Sequence, residues 1–444
     1  MTQRTSFLLV LAVVLAGPAA AQEPVTLTLG GAARAAAERS AAPEAARLRA
    51  AQAESRVRQR RADLLPSLTA AASDGERTFN SASFGISFAD PATGQSLFDP
   101  NGQVLGPVKT WDFRGTVRQS VLDPGALARL KAAHAGADAS DAAAASVAQM
   151  AAYGAAAAYV RAQRADAQVT ARLADSSLAA ELLGIARAQL SAGVGVALDV
   201  TRAQAQLSTT RSQLIAARAE RDRARIELTR AAGLPGGTAI VLADSLPAAS
   251  AAPPNEADAL GRASQARADV AAATADSRAA EQQLRAIRAE ALPALSLFAD
   301  QGVTGKSTEH LLNTYTWGIQ LSVPVFDGFR RLNRADEQRT AIREADLRLR
   351  DLKEQVAADV RTALVELQAS AALLAATDER VSLAEQELAQ ARDRFAAGVT
   401  GNADVITAQL ALNAARTQAI DARAALQAAR VSLARAQGSL TELP

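Results

Sequence analysis

The chain has 444 residues, no cysteine and two histidines, and its 48 basic residues nearly balance its 46 acidic ones, for a formal charge of +2. Without cysteine there are no disulfides, thiolate metal sites, cysteine nucleophiles or lipid on an amino-terminal cysteine; without a basic stripe, nucleic acid is not expected as a partner. Aromatic residues make up only 3% of the chain, too few for a thick globular core, so long helices packed closely through alanine suit the composition better.

The first element is a leader. MTQRTSFLLVLAVVLAGPAAAQ carries Arg4, an apolar run from Phe7 to Leu15 and the small residues Ala19 to Ala21, the pattern of a secretory signal peptide over 1–21, cleaved before Gln22. The run is short for a retained membrane helix, and no later stretch is apolar enough to be one. The mature chain then tells one story twice. In residues 22–232, a helical stretch from Leu27 to Leu65 ends in LLPSL. An extended region over about 67–121 includes a long loop at 90–107 and closes on VLDPG. A very long helix runs to Leu190, a break falls near 191–199, and a further helix reaches Ala232. The stretch 233–255, rich in proline, glycine and alanine, reads as a connector. In residues 256–438, helical residues beginning near Asn255 end in ALPAL. Extended residues span about 294–325 up to VFDGF, a helix runs to Phe395, a break recurs near 396–404, and a last helix reaches Gln437, leaving 439–444 as a tail.

The breaks are the clearest sign of duplication. QLSAGVGVALDVTRAQ (189–204) and RFAAGVTGNADVITAQ (394–409) align at an offset of 205, matching Gly193 with Gly398 and Asp199 with Asp404. From Arg330 to Phe395 there is neither glycine nor proline, and such a helix is roughly 100 Å long. Leu367, Leu374, Val381, Leu388 and Phe395 recur every seven residues with Ala371, Ala384 and Ala391 between them, a coiled-coil seam. Upstream, Leu352, Val356, Val360 and Leu364 keep an apolar stripe on one face. The seams are expected to need partners beyond one chain.

The extended regions alternate. In 111–121, Trp111, Phe113, Gly115, Val117 and Val121 interleave with Asp112, Arg114, Thr116, Arg118 and Ser120. In 314–323, Tyr315, Trp317, Ile319, Leu321 and Val323 interleave with Thr314, Thr316, Gly318, Gln320 and Ser322. Their weaker partners are 67–73, running on towards FGISF (84–88), and 294–300. Each half thus carries one hairpin. Period two fits a half-buried soluble sheet, but it also fits strands of roughly 9–11 residues crossing a bilayer. Export and the placement of both tryptophans in these strands favour the second. Four strands cannot close a barrel, and open edges in lipid leave backbone groups unpaired; two copies would give eight strands and three would give twelve, with about eight the minimum.

LTLGGAARAAAERSAAPE (27–44), LLPSL, VLDPG, VPVFDGFRR (323–331) and the two breaks together resemble the TolC-type outer-membrane efflux and secretion channels, over almost all of the mature chain and in the family's order. The resemblance implies a mainly α fold with a small β part: a long antiparallel α-helical coiled-coil tunnel, plus four amphipathic transmembrane β-strands per chain that complete a shared β-barrel as a homotrimer. It implies an outer-membrane location with a large periplasmic portion and contact with outer-membrane lipid. As partners it implies a periplasmic membrane-fusion adaptor and an inner-membrane transporter of RND or ABC type, the chain serving as the passive exit duct of a tripartite efflux or type I secretion system. Under it, Asp404 belongs to a constriction at the periplasmic tip, with Thr407 where a second acidic residue is common and Phe395 where tyrosine is common. Gly193, Val194, Gly398 and Val399 belong to the adaptor-docking tips. The plainer roles are also open: glycine for a tight turn, and a carboxylate favoured by the helix dipole at Asp199 and Asp404. Pro66 and Pro293 are expected at helix-to-strand junctions, and Asp123 and Asp327 at strand-to-helix caps.

No phosphate loop, HExxH or GxSxG occurs. His134 falls in an alanine-rich helix and His310 in a loop tip, too isolated for a metal site, so no enzyme activity, cofactor or metal is expected. A periplasmic coiled-coil scaffold or adaptor without a pore is the rival reading; it has no need of four aromatic-bearing amphipathic strands.

Overall fold

In a computed structural model of the chain, residues 24–84, 90–93, 102–248 and 253–443 are described. The expected leader at 1–21, nearly all of FGISF and the loop residues 94–101 lie outside them. Two compact units emerge, and each draws on both sequence repeats: one comprises residues up to 44, 147–267 and 356–444, the other 45–146 and 268–355. The repeats are therefore not the packing units.

The second unit holds a four-stranded antiparallel sheet in the order β2 (Ser67–Asn80), β3 (Val104–Leu122), β5 (Ala294–Gly305), β6 (Leu312–Ser322). The two hairpins expected from alternation are both present, joined by the β3–β5 pairing from Trp111↔Gly305 to Leu122↔Leu295. Helices flank them in sequence: α2 (Ala41–Ala62) enters β2, α3 (Pro124–Ser191) leaves β3, α6 (Ala268–Ala289) enters β5 and α7 (Arg330–Ala396) leaves β6.

The first unit contains what periodicity did not reveal. Val25–Leu27 (β1) and Ile240–Leu242 (β4) form a two-stranded parallel sheet. Tyr159 holds it: this fully buried hydroxyl lies 2.9 Å from Leu27 O and 3.1 Å from Asp244 Oδ2, and accepts from Asp244 N at 3.2 Å. Burial pushes the phenol up to about 12, so it stays a donor at any physiological pH. Gln163 Nε2 adds a bond to Asp244 O at 2.9 Å. The connector is thus tied down rather than free.

Both expected first helices are also split. α1 (Leu29–Arg39) gives way to α2 at Ser40, and α5 (Glu256–Ala266) to α6 at Arg267; both breaking residues are extended, with φ near −72° and −73°. Pro43 accounts for the first, since it has no N–H to donate back to Arg39. The cause shared by both breaks is tertiary. Gly233 and Gly438 follow α4 (Ala197–Ala231) and α8 (Asn402–Gln437) at φ of 70° and 76°. A Cβ on Gly233 would stand 2.8 Å from Arg39 C and Ser40 N; one on Gly438 would stand 2.6 Å from Ala266 O and 2.9 Å from Arg267 N. Each glycine closes a helix with paired C-terminal bonds, Leu234 N to Thr229 O and Ser439 N to Ala434 O, the αL cap that glycine adopts without strain. Only a residue without a side chain lets these ends touch the breaks.

The heptad seam is buried as expected at Leu367, Leu374, Leu388 and Phe395, with Val381 partly so. Its partners differ from expectation. Leu182 of α3 and Val405, Ala408, Leu412 and Ala415 of α8 pack on Leu388 and Phe395, so within this region the seam finds its partners in the same chain. Alanines at the contacts let the helix axes approach closely enough for this. A separate row on α7, including Val365, Leu373 and Leu383, stays exposed.

Candidate functional site

The sheet's register sorts its side chains. Leu68↔Val117 and Ala72↔Phe113 on β2–β3, Val117↔Ala299 and Phe113↔Val303 on β3–β5, then Leu295↔Leu321, Leu297↔Ile319 and Ala299↔Trp317 on β5–β6 all lie on one face. Because side chains alternate strictly, the other face collects Thr69, Asp112, Arg114, Thr116, Asp300 and Thr314. There Arg114 bonds Asp112 at 3.2 Å and the Thr314 hydroxyl at 3.2 Å, and pairs with Asp300, crossing three strands. The apolar face is uncovered within the chain: Trp317 is 74% exposed, and Leu68, Tyr315, Ile319 and Leu321 are similar. Trp111, Phe113, Tyr315 and Trp317 occupy the half of the sheet nearer the hairpin loops. β2 and β6 each pair on one side only.

The junction residues stand at the ends of these strands. Pro66 and Pro293 directly precede β2 and β5. Asp123 caps α3, its Oδ1 accepting from Ala126 N at 2.8 Å with Pro124 as the first helical residue. Asp327 differs: α7 begins only at Arg330 because Gly328 and Phe329 both take positive φ. Its carboxylate instead accepts from Arg331 N at 3.1 Å and Arg331 Nε at 2.8 Å. Burial alone would raise the Asp327 pKa, but these bonds and the nearby arginines outweigh it and hold the carboxyl below its usual value.

In the first unit the two breaks are turns of the same kind. Gly193 and Gly398 have φ of 77° and 73°. Val194 N bonds Gln189 O and Val399 N bonds Arg394 O, at 3.1 and 3.0 Å. Gly195 and Gly401 do not need positive φ; Gly401 is the extended cap of α8. The turns are linked by Gln189 Nε2 to Phe395 O at 3.2 Å and Asn402 Nδ2 to Asp199 O at 3.1 Å. Val194 and Val399 point outward at 81% and 69% exposure. Asp404 and Thr407 lie exposed, one turn apart on α8. Phe395 does not join them: it is 3% exposed and packs inside the helical hairpin. An apolar ring at a heptad position is drawn into the seam, so within the chain Phe395 stands apart from the exposed pair expected at the constriction.

Sequence reasoning passed over Asp175, whose carboxylate is 1% exposed. Arg172 bonds it at 3.1 Å and Arg416 lies 3.7 Å away. With its amide nitrogen facing Asp175, Asn413 donates at 2.7 Å. Arg416 continues to Glu385 at 3.1 Å and Arg172 to Thr417 at 2.9 Å, so one buried charge ties α3, α7 and α8 together. Asn402 and Gln409, both fully buried, were also missed. Polar residues inside an alanine-rich helix leave no periodic trace.

The chain matches the outer membrane efflux protein family over residues 32–234 and 259–439. It belongs to that family. The chain is 28% identical over 283 residues to the alkaline protease secretion protein AprF of Pseudomonas aeruginosa, 59% of this chain and 56% of AprF. It is 26% identical over 280 residues to the outer membrane efflux protein BepC of Brucella suis, 61% and 60% of the two chains. The matches span less than two thirds of these relatives' length. Among solved structures the fold is that of CusC (TM-score 0.74, 18% identity, 94% of this chain and 93% of that one). It is likewise that of VceC of Vibrio cholerae (0.72, 20%, 92% and 96%).

Two outcomes test this geometry. Ile319→Arg, on the apolar face, should destabilise insertion into lipid vesicles by about 2–4 kcal/mol, and Thr116→Arg, on the polar face, by far less, as read from urea unfolding in vesicles. Burial raises the Asp175 pKa above the usual 3.8, its arginines opposing but not cancelling the effect. The folded chain therefore binds that proton more tightly than the unfolded one. The associated stability is full below the unfolded value of 3.8 and is lost as pH rises through the higher folded value. Denaturant titrations across that acidic window should show this slope, and Asp175→Asn should remove it.

Proposed function

We propose that the protein is the outer-membrane exit duct of a tripartite efflux or type I secretion system, a passive conduit built as a homotrimer. The observation that carries this reading is the sheet register: Leu68, Phe113, Val117, Leu297, Trp317 and Ile319 from all four strands gather on one uncovered face while both edges stay unpaired. Lipid covers such a face, and identical neighbours cover such edges. Family membership and the kinship with a protease secretion protein and an efflux protein support the same class of task.

On this reading Arg114, Thr116 and Thr314 line the lumen, and three chains complete a twelve-stranded barrel. The exposed valines Val194 and Val399, with Gly193 and Gly398, form the tips that meet a periplasmic membrane-fusion adaptor, which links the duct to an inner-membrane transporter of RND or ABC type. Paired apolar side chains held out by tight turns suit a protein contact. Asp404 faces its symmetry mates to form a constricting carboxylate ring. Thr407 adds no second charge, so the ring's hold on cations is that of one carboxylate per chain.

Planar-bilayer recording tests both claims. The intact protein should give discrete conductance steps with a preference for potassium over chloride. Asp404→Asn should reduce that preference severalfold with the steps retained. A preference unchanged in Asp404→Asn removes the ring; the absence of any conductance from folded, membrane-inserted protein removes the duct.

A further inference from the structure

The sheet-bearing unit contains a cleft of about 480 Å³ to which all four of its helices contribute. Arg56 and Arg60 come from the last turns of α2, Arg129 from the second turn of α3, Gln283 and Glu290 from α6 and the residue just beyond it, and Arg334 from the start of α7. The floor is alanine: Ala53, Ala132 and Ala286 are buried there, and any longer side chain at these positions would fill the space.

The charge around the cleft is unbalanced. Glu290 is its one carboxylate and is already occupied, bonded by Arg334 at 2.7 and 3.4 Å. Arg60 faces Asp63 and Arg129 faces Asp123, each at 3.6 Å, too far for a hydrogen bond. Arg56 makes no hydrogen bond or ion pair among the described residues. Three guanidinium groups therefore border a concave space: Arg56 has no partner among the described residues, and Arg60 and Arg129 each sit at ion-pair distance from one carboxylate with no hydrogen bond to it. Arg56 and Arg60 lie four residues apart on one helix face, where like charges repel and an anion between them relieves the repulsion. Arginine matches the planar, paired oxygens of carboxylate and phosphate. The volume exceeds that of a lone inorganic oxyanion and lies in the range of small-molecule sites.

We infer that this cleft is a binding site for a small organic polyanion bearing carboxylate or phosphate groups, held by Arg56, Arg60 and Arg129. All of the lining comes from one chain, so the titration needs no conduction to read it. Calorimetric titration of the full-length protein in nonionic detergent at low ionic strength, with citrate as probe, tests it. Saturable binding of one citrate per chain is expected, weakened at least tenfold in Arg56→Gln and further in Arg56→Gln/Arg129→Gln. It should be retained in Arg58→Gln, because Arg58 pairs with Glu54 and lies outside the cleft. Arg56 is exposed, so its variant keeps its helices, as circular dichroism should verify. A second arm repeats the titration with protein in nanodiscs rich in phosphatidic acid: competition by the lipid would place a phosphate headgroup in the same cleft, and unchanged affinity would mark a soluble solute. No saturable citrate binding, or equal loss in Arg58→Gln, overturns the site.

Discussion

A β-sheet edge in hydrocarbon is a row of backbone donors and acceptors with nothing to bond, at several kcal/mol for each group. The sheet of this chain is shaped by that constraint. β2 and β6 bring their outer edges to the limits of a four-stranded sheet whose apolar face is uncovered. No helix of the described residues is long and apolar enough to cross a membrane; on the proposed reading the sheet meets the lipid. On that reading an edge with no neighbour in its own chain finds one in another copy. The polar face meanwhile is knit by Arg114 across β3, β5 and β6, which helps fix the register that gathers Phe113, Val117, Leu297, Trp317 and Ile319 on the other side.

The helices answer a different constraint, the packing of long elements with few large side chains. Alanine brings the axes close, and a sparse set of larger residues marks the seam. Specificity comes from buried polar points: Tyr159 holds β1 and the connector on α3, and Asp175 joins three helices near the tips. Both occur where uniform alanine packing would let helices slide, and each replaces that freedom with a bond of fixed partners.

The breaks, the long helices, the heptad seam and both hairpins were legible because each has a period or a punctuating residue. Asp123 was legible as a cap for the same reason. What escaped notice was set by tertiary contact. The splits at Ser40 and Arg267 depend on Gly233 and Gly438, about two hundred residues away in sequence for the first, and no local window contains both. The β1–β4 pair is three residues per strand, too short to show alternation. Phe395 was placed by alignment with a channel constriction, yet its heptad position already put it in the seam. Asp404 and Thr407 were found exposed on one helix face, while their meeting with copies of themselves is a matter of assembly and not of one chain.

The cysteine-free sequence offers a direct measurement of edge closure. Thr69→Cys on β2 combined in turn with Thr314→Cys, Thr316→Cys or Gln320→Cys on β6, oxidised in native membranes, reports whether the edges of different copies meet. The account predicts that at least one pair yields dimers and closed trimers that collapse to monomer on reduction. Monomer alone with every pair, in membranes where the protein is folded, would contradict it.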